Sequence, residues 1–157
     1  LETVSLRLFN VYGPRQSFGP YSGVIEQFLD KLLKGERPVI FGDGTQTRDF
    51  VHIDDVVGAH MLALENKSAV GEVFNIASGV ATSVNELAQI LKDMIGLGEL
   101  KPVHSKPQGG DVRHSQGDIS KAKDLVGYTP KIGLEKGLSQ YVESRKRCLK
   151  SKDVSDL

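Results

Sequence analysis

The sequence has little of what would mark a secreted, membrane-bound or nucleic-acid-binding protein. Its one cysteine, Cys148, cannot form an internal disulfide, which suits a reducing compartment such as the cytoplasm. Twenty basic and twenty acidic side chains cancel, so a general nucleic-acid or membrane-surface binder is not expected. No apolar run approaches the length of a membrane span, and no signal-peptide pattern is present. We therefore expect a cytoplasmic protein whose partner is neither nucleic acid nor membrane.

Metal and hydrolase chemistry also lack support in the sequence. The histidines have no metal-ligand spacing with one another or with Cys148: His52, His60, His104 and His114. No Ser-His-Asp signature is present. The adjacent Asp54 and Asp55 are expected to cap a helix rather than to form a catalytic pair, because neighbouring residues at a helix start point in different directions.

Short apolar runs alternate with helical patterns, and this alternation predicts the α/β class. Strands are predicted at residues 4–9 (buried), 38–41, 50–52, 73–77 and 101–104. Helices are predicted at 22–33, 54–64, 83–95, 120–127, and from 134 until the pattern fades after 144. Ser22 is the expected cap of the first helix, and Ser83 with Glu86 forms a capping-box pattern. Residues 150–157 are expected to be a frayed tail.

Residues 6–16 carry the first functional signal. A hydrophobic strand leads into Asn10, then an aromatic residue, then the Gly13-Pro14 turn followed by Arg15. Such a strand delivers polar groups to a ligand crevice at the carboxyl edge of an open α/β sheet.

Three runs carry a resemblance to a known family: Leu-Arg-Leu-Phe-Asn-Val-Tyr-Gly-Pro-Arg-Gln, Gly-Asp-Gly-Thr-Gln-Thr-Arg-Asp-Phe-Val-His-Ile-Asp-Asp and Gly-Asp-Val-Arg-His-Ser. To about Ser144 the chain resembles the NAD-dependent sugar-nucleotide epimerases and dehydratases of the extended short-chain dehydrogenase/reductase family. The resemblance implies a carboxyl-terminal half: a substrate-binding lobe in residues 1–149, with the strands at 4–9 and 73–77 belonging to the Rossmann sheet. Sheet edges and apolar faces that the other half covers are then expected to be exposed.

The groups with which that family binds NAD and performs catalysis are missing from this sequence. The family's glycine-rich turn is Gly-x-x-Gly-x-x-Gly, but Gly42-Asp43-Gly44 is followed by Thr-Gln-Thr. The family's Tyr-x-x-x-Lys pair is also missing, because Tyr12, Tyr21, Tyr128 and Tyr141 precede Gln16, Ile25, Ile132 and Arg145 at that spacing. NAD is thus expected in the complete enzyme only. We assign no catalytic residue and expect the chain alone to be inactive.

The resemblance implies a UDP-linked sugar as substrate, whose diphosphate needs hydrogen-bond donors. Arg48 matches the family's diphosphate-contacting arginine; a charge-assisted hydrogen bond contributes roughly 1.5–3 kcal/mol. Its alternative role is a surface ion pair with Asp49 or Asp43. Asn10 matches an asparagine that donates to the same phosphates, although a turn-forming role is also common. Val24 matches a position whose backbone N–H reaches the phosphates from a helix N-terminus.

Further matches concern the base and the ribose. Val39 and Phe41 match positions that hold uracil by backbone hydrogen bonds and by stacking, although the sequence alone favours ordinary core residues. Phe50 lies where many epimerases carry an aromatic side chain beside the nucleotide. Asp111 matches the acid that accepts hydrogen bonds from the ribose hydroxyls. Arg113 is a further candidate near the sugar phosphates, or else a solvated loop residue.

Two positions differ informatively among family members. The family usually shows Arg-x-Gly-Asp, whereas this chain has Gln108-Gly109-Gly110-Asp111. Gln108 can donate hydrogen bonds but carries no charge, which weakens the diphosphate site or leaves Arg113 to compensate. Epimerases restricted to glucose and galactose tend to carry a tyrosine where this chain has Ser115. The small side chain leaves room for a 2-acetamido group, so UDP-N-acetylglucosamine is expected to be tolerated.

Together the matches imply the UDP-sugar-binding portion of a UDP-glucose or UDP-N-acetylglucosamine 4-epimerase, which inverts C4 through a 4-keto intermediate with bound NAD. Alternatives are a UDP-glucuronate epimerase or decarboxylase and a 4,6-dehydratase, although dehydratases commonly have Asn-Asn where this chain has Phe9-Asn10. An alternative of another class is a non-catalytic nucleotide-sugar-binding module. The complete enzyme is expected to be a homodimer formed through its NAD lobe, so these residues do not predict the oligomeric state of the chain itself.

Overall fold

Short strands alternate with helices along the chain, as the sequence predicts for the α/β class. The computed structural model describes residues 1–16, 19 and 22–155, with side chains described as far as Leu149. The elements in chain order are β1 (Ser5–Leu8), β2 (Asn10–Tyr12), α1 (Val24–Leu33), β3 (Val39–Phe41), β4 (Thr47–His52), α2 (Ile53–Glu65), a 3-10 turn (Lys67–Ala69), β5 (Val73–Ile76), β6 (Ala81–Ser83), α3 (Val84–Ile95), β7 (Val103–Ser105), α4 (Ser120–Val126) and α5 (Leu134–Ser155).

The strands of the described residues form three small sheets. β1 pairs in parallel with β5, with Leu6 opposite Phe74, so the two strands that the resemblance assigns to a Rossmann sheet lie side by side. β4 is the centre of the second sheet, parallel to β2 and antiparallel to β6. β3 pairs in parallel with β7, with Val39 opposite Val103.

Strand β4 has a hydrophobic cluster on each side. Successive side chains of a strand point to opposite faces, and accordingly Phe50 packs in one cluster and Val51 in the other. The first cluster joins α1, α3 and α5 through Phe28, Leu29, Leu87, Leu91, Leu138 and Tyr141. The second joins α2, α4 and β5 through Val56, Phe74, Ile76, Ala122 and Val126. Fully burying one such large side chain contributes roughly 1.5–3 kcal/mol, and the two clusters hold β4 firmly in place.

Polar groups also connect α1 to α5. Glu26 is fully buried in the first turn of α1. Its Oε2 accepts a hydrogen bond from the buried Tyr141 hydroxyl, and Arg145 Nη2 lies 2.9 Å from its Oε1. The contact between Arg145 and Glu26 is an ion pair that lacks the geometry of a hydrogen bond. Arg145 Nε is also buried with no hydrogen-bond partner among the described residues. A buried carboxylate needs such compensation, because an isolated charge is very costly away from water.

The helix starts confirm one predicted cap and correct two. Ser83 and Glu86 form the predicted capping box at α3. α2 is capped by the His52 side chain, which accepts from Asp54 N at 3.2 Å, so the predicted capping by Asp54 and Asp55 is wrong. The Asp55 carboxylate instead accepts from the backbone N–H groups of residues 131 and 132, because the segment before α5 passes over it.

The start of α1 has no side-chain cap. Its N-cap residue is Gly23 rather than the predicted Ser22. Ser22 Oγ accepts from Gly19 N at 2.6 Å in the preceding turn. The first turn of α1 thus begins at Val24 without a capping oxygen from the N-cap residue.

Several boundaries and exposures differ from the prediction. β2 and β6 were not predicted, and α5 continues to Ser155 instead of ending near Ser144, while residues 156 and 157 lie outside the described part. The predicted burial of the first strand is wrong, since Leu8 is 46 % exposed. The predicted exposure of apolar faces is confirmed there and along α2, where Val57, Met61 and Leu64 lie open to solvent. None of the described helices combines the length and apolar character that crossing a membrane requires.

Candidate functional site

A cleft of about 520 Å³ lies between the end of β3, the turn into β4 and the loop of residues 106–115. Four predicted site residues line it: Phe41, Gln108, Asp111 and Arg113. Phe41 is 41 % exposed, so one face of its ring is available to a planar ligand. Sequence reasoning did not assign the seven other lining residues to the site: Gly42, Asp43, Gln46, His104, Ser105, Pro107 and Val112.

The floor of the cleft is a turn built by two glycines. Gly42 and Gly44 have φ of 78° and 75°, in the left-handed region that glycine adopts without a Cβ penalty. A Cβ on Gly44 would also lie 2.0 Å from the Asn85 side chain. Between them, Asp43 Oδ1 accepts from Thr45 N at 3.0 Å and from Thr45 Oγ1 at 2.9 Å, which fixes the carboxylate toward the loop.

Arg48 connects β4 to this loop. Its Nη1 donates to Thr47 O at 2.7 Å and to Val112 O at 2.6 Å, and its Nη2 donates to the Asp111 carboxylate. The Arg48 side chain is only 15 % exposed. The structure thus brings together Arg48, predicted to bind the diphosphate, and Asp111, predicted to accept hydrogen bonds from the ribose hydroxyls. The partners expected for a purely surface role, Asp43 and Asp49, are not those that Arg48 contacts.

Arg113 makes a second arginine–aspartate pair across the cleft. Its Nη1 donates to Asp43 Oδ1 at 3.1 Å and its Nη2 to Oδ2 at 2.9 Å, and Nη2 also contacts Thr45 Oγ1. The hydrogen bonds from Arg113, followed by those from Thr45, hold the pKa of the Asp43 carboxyl well below its usual range. The hydrogen bond with Asp43 in turn raises the pKa of Arg113.

Backbone hydrogen bonds attach the end of the loop to β4. Thr47 N donates to Arg113 O at 2.9 Å, and Ser115 N donates to Thr47 O at 3.2 Å. Ser115 is therefore held beside the start of β4 by its backbone, with its side chain half-buried.

Asn10 and Asp49 organise the other face of β4. Asn10 Nδ2 donates to Asp49 O at 3.0 Å. The fully buried Asp49 carboxylate accepts four hydrogen bonds, from Ser78 N, Ser78 Oγ, Gly79 N and Gly117 N, at 2.7–3.0 Å. This carboxylate was missed as an organising group, although a charge next to Arg48 in a strand with buried neighbours already indicates a paired acid.

Other predicted residues lie apart from the cleft lining. Phe50 is 5 % exposed and packs in the first hydrophobic cluster, where no face of the ring is free for stacking. Val39 is half-buried and paired with β7. Val24 is the first residue of α1, where the first four N–H groups of a helix have no partner inside the helix.

The described tyrosines act as buried hydrogen-bond donors. Burial raises the pKa of Tyr12, Tyr128 and Tyr141 above the ordinary phenol value. These hydroxyls donate to Leu134 O, Ala77 O and the Glu26 carboxylate, respectively. Tyr21 lies outside the described residues.

The strand-to-helix junctions from β4 to α2 and from β6 to α3 do not fit a dinucleotide. A pyrophosphate needs a glycine-lined approach to open N–H groups at a helix start. At these two junctions that place is taken by the side chains of His52 and Ser83, which accept from the first-turn N–H groups. These two junctions therefore offer no site for a pyrophosphate.

Comparison with known proteins gives consistent matches. The family model for the NAD dependent epimerase/dehydratase family matches residues 1–77. A Methanocaldococcus jannaschii protein with the provisional name UDP-glucose 4-epimerase is 46 % identical over 143 residues, which are 90 % of this chain and 45 % of that protein. The chain thus spans somewhat less than half the length of the curated relatives it matches.

Solved structures agree with the sequence matches. The Thermotoga maritima UDP-glucose 4-epimerase with UDP-glucose superposes with a TM-score of 0.88 at 46 % identity, covering 95 % of this chain and 47 % of that one. The Methanobrevibacter ruminantium UDP-N-acetylglucosamine 4-epimerase with UDP-N-acetylmuramic acid gives a TM-score of 0.88 at 35 % identity, covering 94 % and 47 %. Matched relatives also include a UDP-glucuronate 4-epimerase of Thermodesulfobacterium geofontis at 37 % identity and a UDP-glucuronic acid decarboxylase of Arabidopsis thaliana at 35 %. A UDP-N-acetyl-alpha-D-glucosaminuronate decarboxylase of Bacillus cytotoxicus matches at 34 %.

Proposed function

Because the chain belongs to the NAD-dependent epimerase/dehydratase family, we propose that its cleft binds the nucleotide part of a UDP-sugar. The observation that carries the proposal is the pairing of Arg48 with Asp111, which lie 63 residues apart in the sequence, since Asp111 lines the cleft together with the exposed Phe41. These are the three kinds of group that a nucleoside diphosphate requires: a bidentate cation, an acceptor for hydroxyls and a surface for stacking.

Each part of the ligand has a proposed position. Uracil stacks on Phe41 and is read by the backbone near Val39. The ribose hydroxyls donate to Asp111. The diphosphate accepts from Arg48, Asn10 and the N–H of Val24, with Gln108 and Arg113 as further donors from the loop. The N-cap residue of α1, Gly23, makes no side-chain hydrogen bond to the helix. This supports the proposed contact of the Val24 N–H with the diphosphate, since a helix N-terminus favours an anion. Phe50 acts as core support for β4 in this arrangement.

For a complete enzyme we propose a UDP-glucose or UDP-N-acetylglucosamine 4-epimerase that works as a homodimer. NAD, when bound, supplies the hydride chemistry at C4. The groups of this chain hold and orient the substrate and supply no catalytic residue, so the chain alone is expected to be inactive. The small Ser115 supports tolerance of the acetamido group, and the Methanobrevibacter ruminantium structure contains an N-acetylated sugar nucleotide.

UDP-glucuronate is a second candidate, because relatives named for it also match. Its carboxylate needs a further cation beyond those for the diphosphate. Both arginines of the cleft are already paired with aspartates, Arg48 with Asp111 and Arg113 with Asp43. This pairing favours a neutral sugar over a glucuronate.

Calorimetric titration of the chain with UDP and with uridine tests the proposal. Arg48→Lys keeps the charge but loses the planar fork, and loss of one charge-assisted hydrogen bond should raise the Kd for UDP about tenfold or more. Arg37→Lys is the matched control, because Arg37 also donates to backbone carbonyls, of residues 101 and 102, but outside the cleft. No binding of UDP by the folded wild-type chain, or equal Kd values for wild type and Arg48→Lys, would contradict the proposal.

A further inference from the structure

Both guanidinium groups at the cleft are occupied by carboxylates of this same chain. Arg113 directs both Nη atoms at Asp43, and Arg48 directs Nη2 at Asp111 and Nη1 at two carbonyls. Neither guanidinium group can therefore bind an anionic ligand with both of its prongs until its pair with the aspartate opens.

The two pairs differ in how readily they can open. Arg48 is 15 % exposed and is also held by the carbonyls of Thr47 and Val112. Arg113 and Asp43 are 58 % and 55 % exposed. Water and other anions compete well for an exposed pair, so the pair of Arg113 and Asp43 is the weaker one.

The geometry also determines which partner moves. Asp43 is fixed in the glycine turn by two hydrogen bonds from Thr45. The Arg113 backbone is anchored to β4 through its carbonyl, whereas its exposed side chain is held only at its guanidinium, by Asp43 and Thr45. A guanidinium binds phosphate with the same two-pronged geometry as carboxylate. Arg113 can thus exchange the Asp43 carboxylate for a phosphate without movement of either backbone segment.

We propose that Asp43 is an affinity-determining residue of the cleft, whose carboxylate competes as an internal anion with ligand phosphate for Arg113. This inference rests on the proposed function. This competition matters for affinity because Gln108 carries no charge. Arg113 is therefore the one permanently charged cation among the described residues that line the cleft.

Asp43→Asn isolates this competition. The asparagine keeps an Oδ1 that accepts from Thr45, so the turn is preserved, while the negative charge on Arg113 is removed. We expect the Kd for UDP to fall about two- to fivefold, the scale of an exposed ion pair, and the Kd for uridine to stay unchanged. Asp118→Asn is the matched control, since its Oδ1 accepts from Ser120 N at 2.9 Å in a similar turn outside the cleft lining.

A second pair of variants, which lacks the Arg113 guanidinium, separates direct competition for Arg113 from a general electrostatic effect of the Asp43 charge. In Arg113→Met, the further change Asp43→Asn should leave the Kd for UDP unaltered; a gain that persists there would overturn the inference. Weaker binding of both UDP and uridine by Asp43→Asn, or an unchanged Kd for UDP, would also overturn it and leave the proposed function standing. Absence of UDP binding in every variant and in the wild type would defeat the proposed function, and the inference with it.

Discussion

Replacing Arg145 with methionine should destabilise the chain strongly, because it leaves the buried carboxylate of Glu26 without its cation. Breaking a buried ion pair by removing one partner costs about 3–5 kcal/mol. The lower end applies here, since Arg145 is 23 % exposed and the Tyr141 hydroxyl remains on Glu26. About 3 kcal/mol is a large share of the roughly 5–15 kcal/mol that stabilises a domain. With a urea m-value of about 2 kcal/mol/M, the midpoint should fall by about 1.5 M.

Urea denaturation followed by circular dichroism provides the assay. Lys34→Met is the control, since it breaks the exposed pair with Asp30 on the same helix and should cost about 0.5 kcal/mol or less. Adding Glu26→Gln to Arg145→Met should recover at least half of the loss, because no unpaired charge then remains. A cost below about 1 kcal/mol for Arg145→Met would refute the view that the buried Glu26 side chain depends on Arg145.

Two further predictions concern local packing and capping. Gly137→Ala should cost about 1–3 kcal/mol in urea denaturation, because the added Cβ would lie 2.2 Å from the Tyr12 hydroxyl. Gly58→Ala in α2 is the control, since its Cβ meets open space and should stabilise the chain by up to about 1 kcal/mol. Equal effects of the two substitutions on the free energy of unfolding would contradict the clash. Ser83→Ala should cost about 1 kcal/mol at neutral pH through loss of the capping box. Hydrogen bonds from the Ser83 backbone N–H and from its hydroxyl lower the pKa of Glu86. The part of the cost that comes from the bond between the hydroxyl and the Glu86 carboxylate is therefore present at neutral pH and is lost as pH falls below 4.5 through the depressed pKa, while the bond from Glu86 N to Ser83 Oγ does not titrate. A cost of Ser83→Ala that stays constant in urea titrations from neutral to acid pH would count against this link.

Local patterns predicted the elements whose cause is local. The helices at α3 and α4 and the strands at β3 and β5 follow from apolar spacing, glycine stops and a capping box, which act within a few residues. β2 and β6 were missed because each has three residues and exists only through pairing with β4. The N-cap of α2 was assigned to the wrong residues, because aspartate is a preferred capping residue and histidine is not. The cap is the side chain of His52, at the end of β4.

The contacts between the candidate site residues could not be predicted from the motifs that contain them. The motifs identified Arg48 and Asp111 as binding candidates, but their contact depends on the folding of a distant loop onto β4. Asp43 was considered as a possible surface partner of Arg48, whereas in the structure it accepts from Thr45 and pairs with Arg113. The burial of Phe50 likewise depends on helices α1, α3 and α5, which no motif around β4 reveals.

The parallel pairing of β1 with β5 has a consequence for how the chain folds. Ser5 pairs with Val73, and Val39 pairs with Val103. Each of these two-stranded parallel sheets can therefore form only after a strand much later in the sequence has been synthesised. Closing such long loops costs entropy before any pairing compensates for it, and folding is accordingly slow. During synthesis β1 leaves the ribosome well before β5, its parallel partner among the described residues. The helices α1 and α2 depend on local hydrogen bonds and can therefore form before either of these parallel pairs.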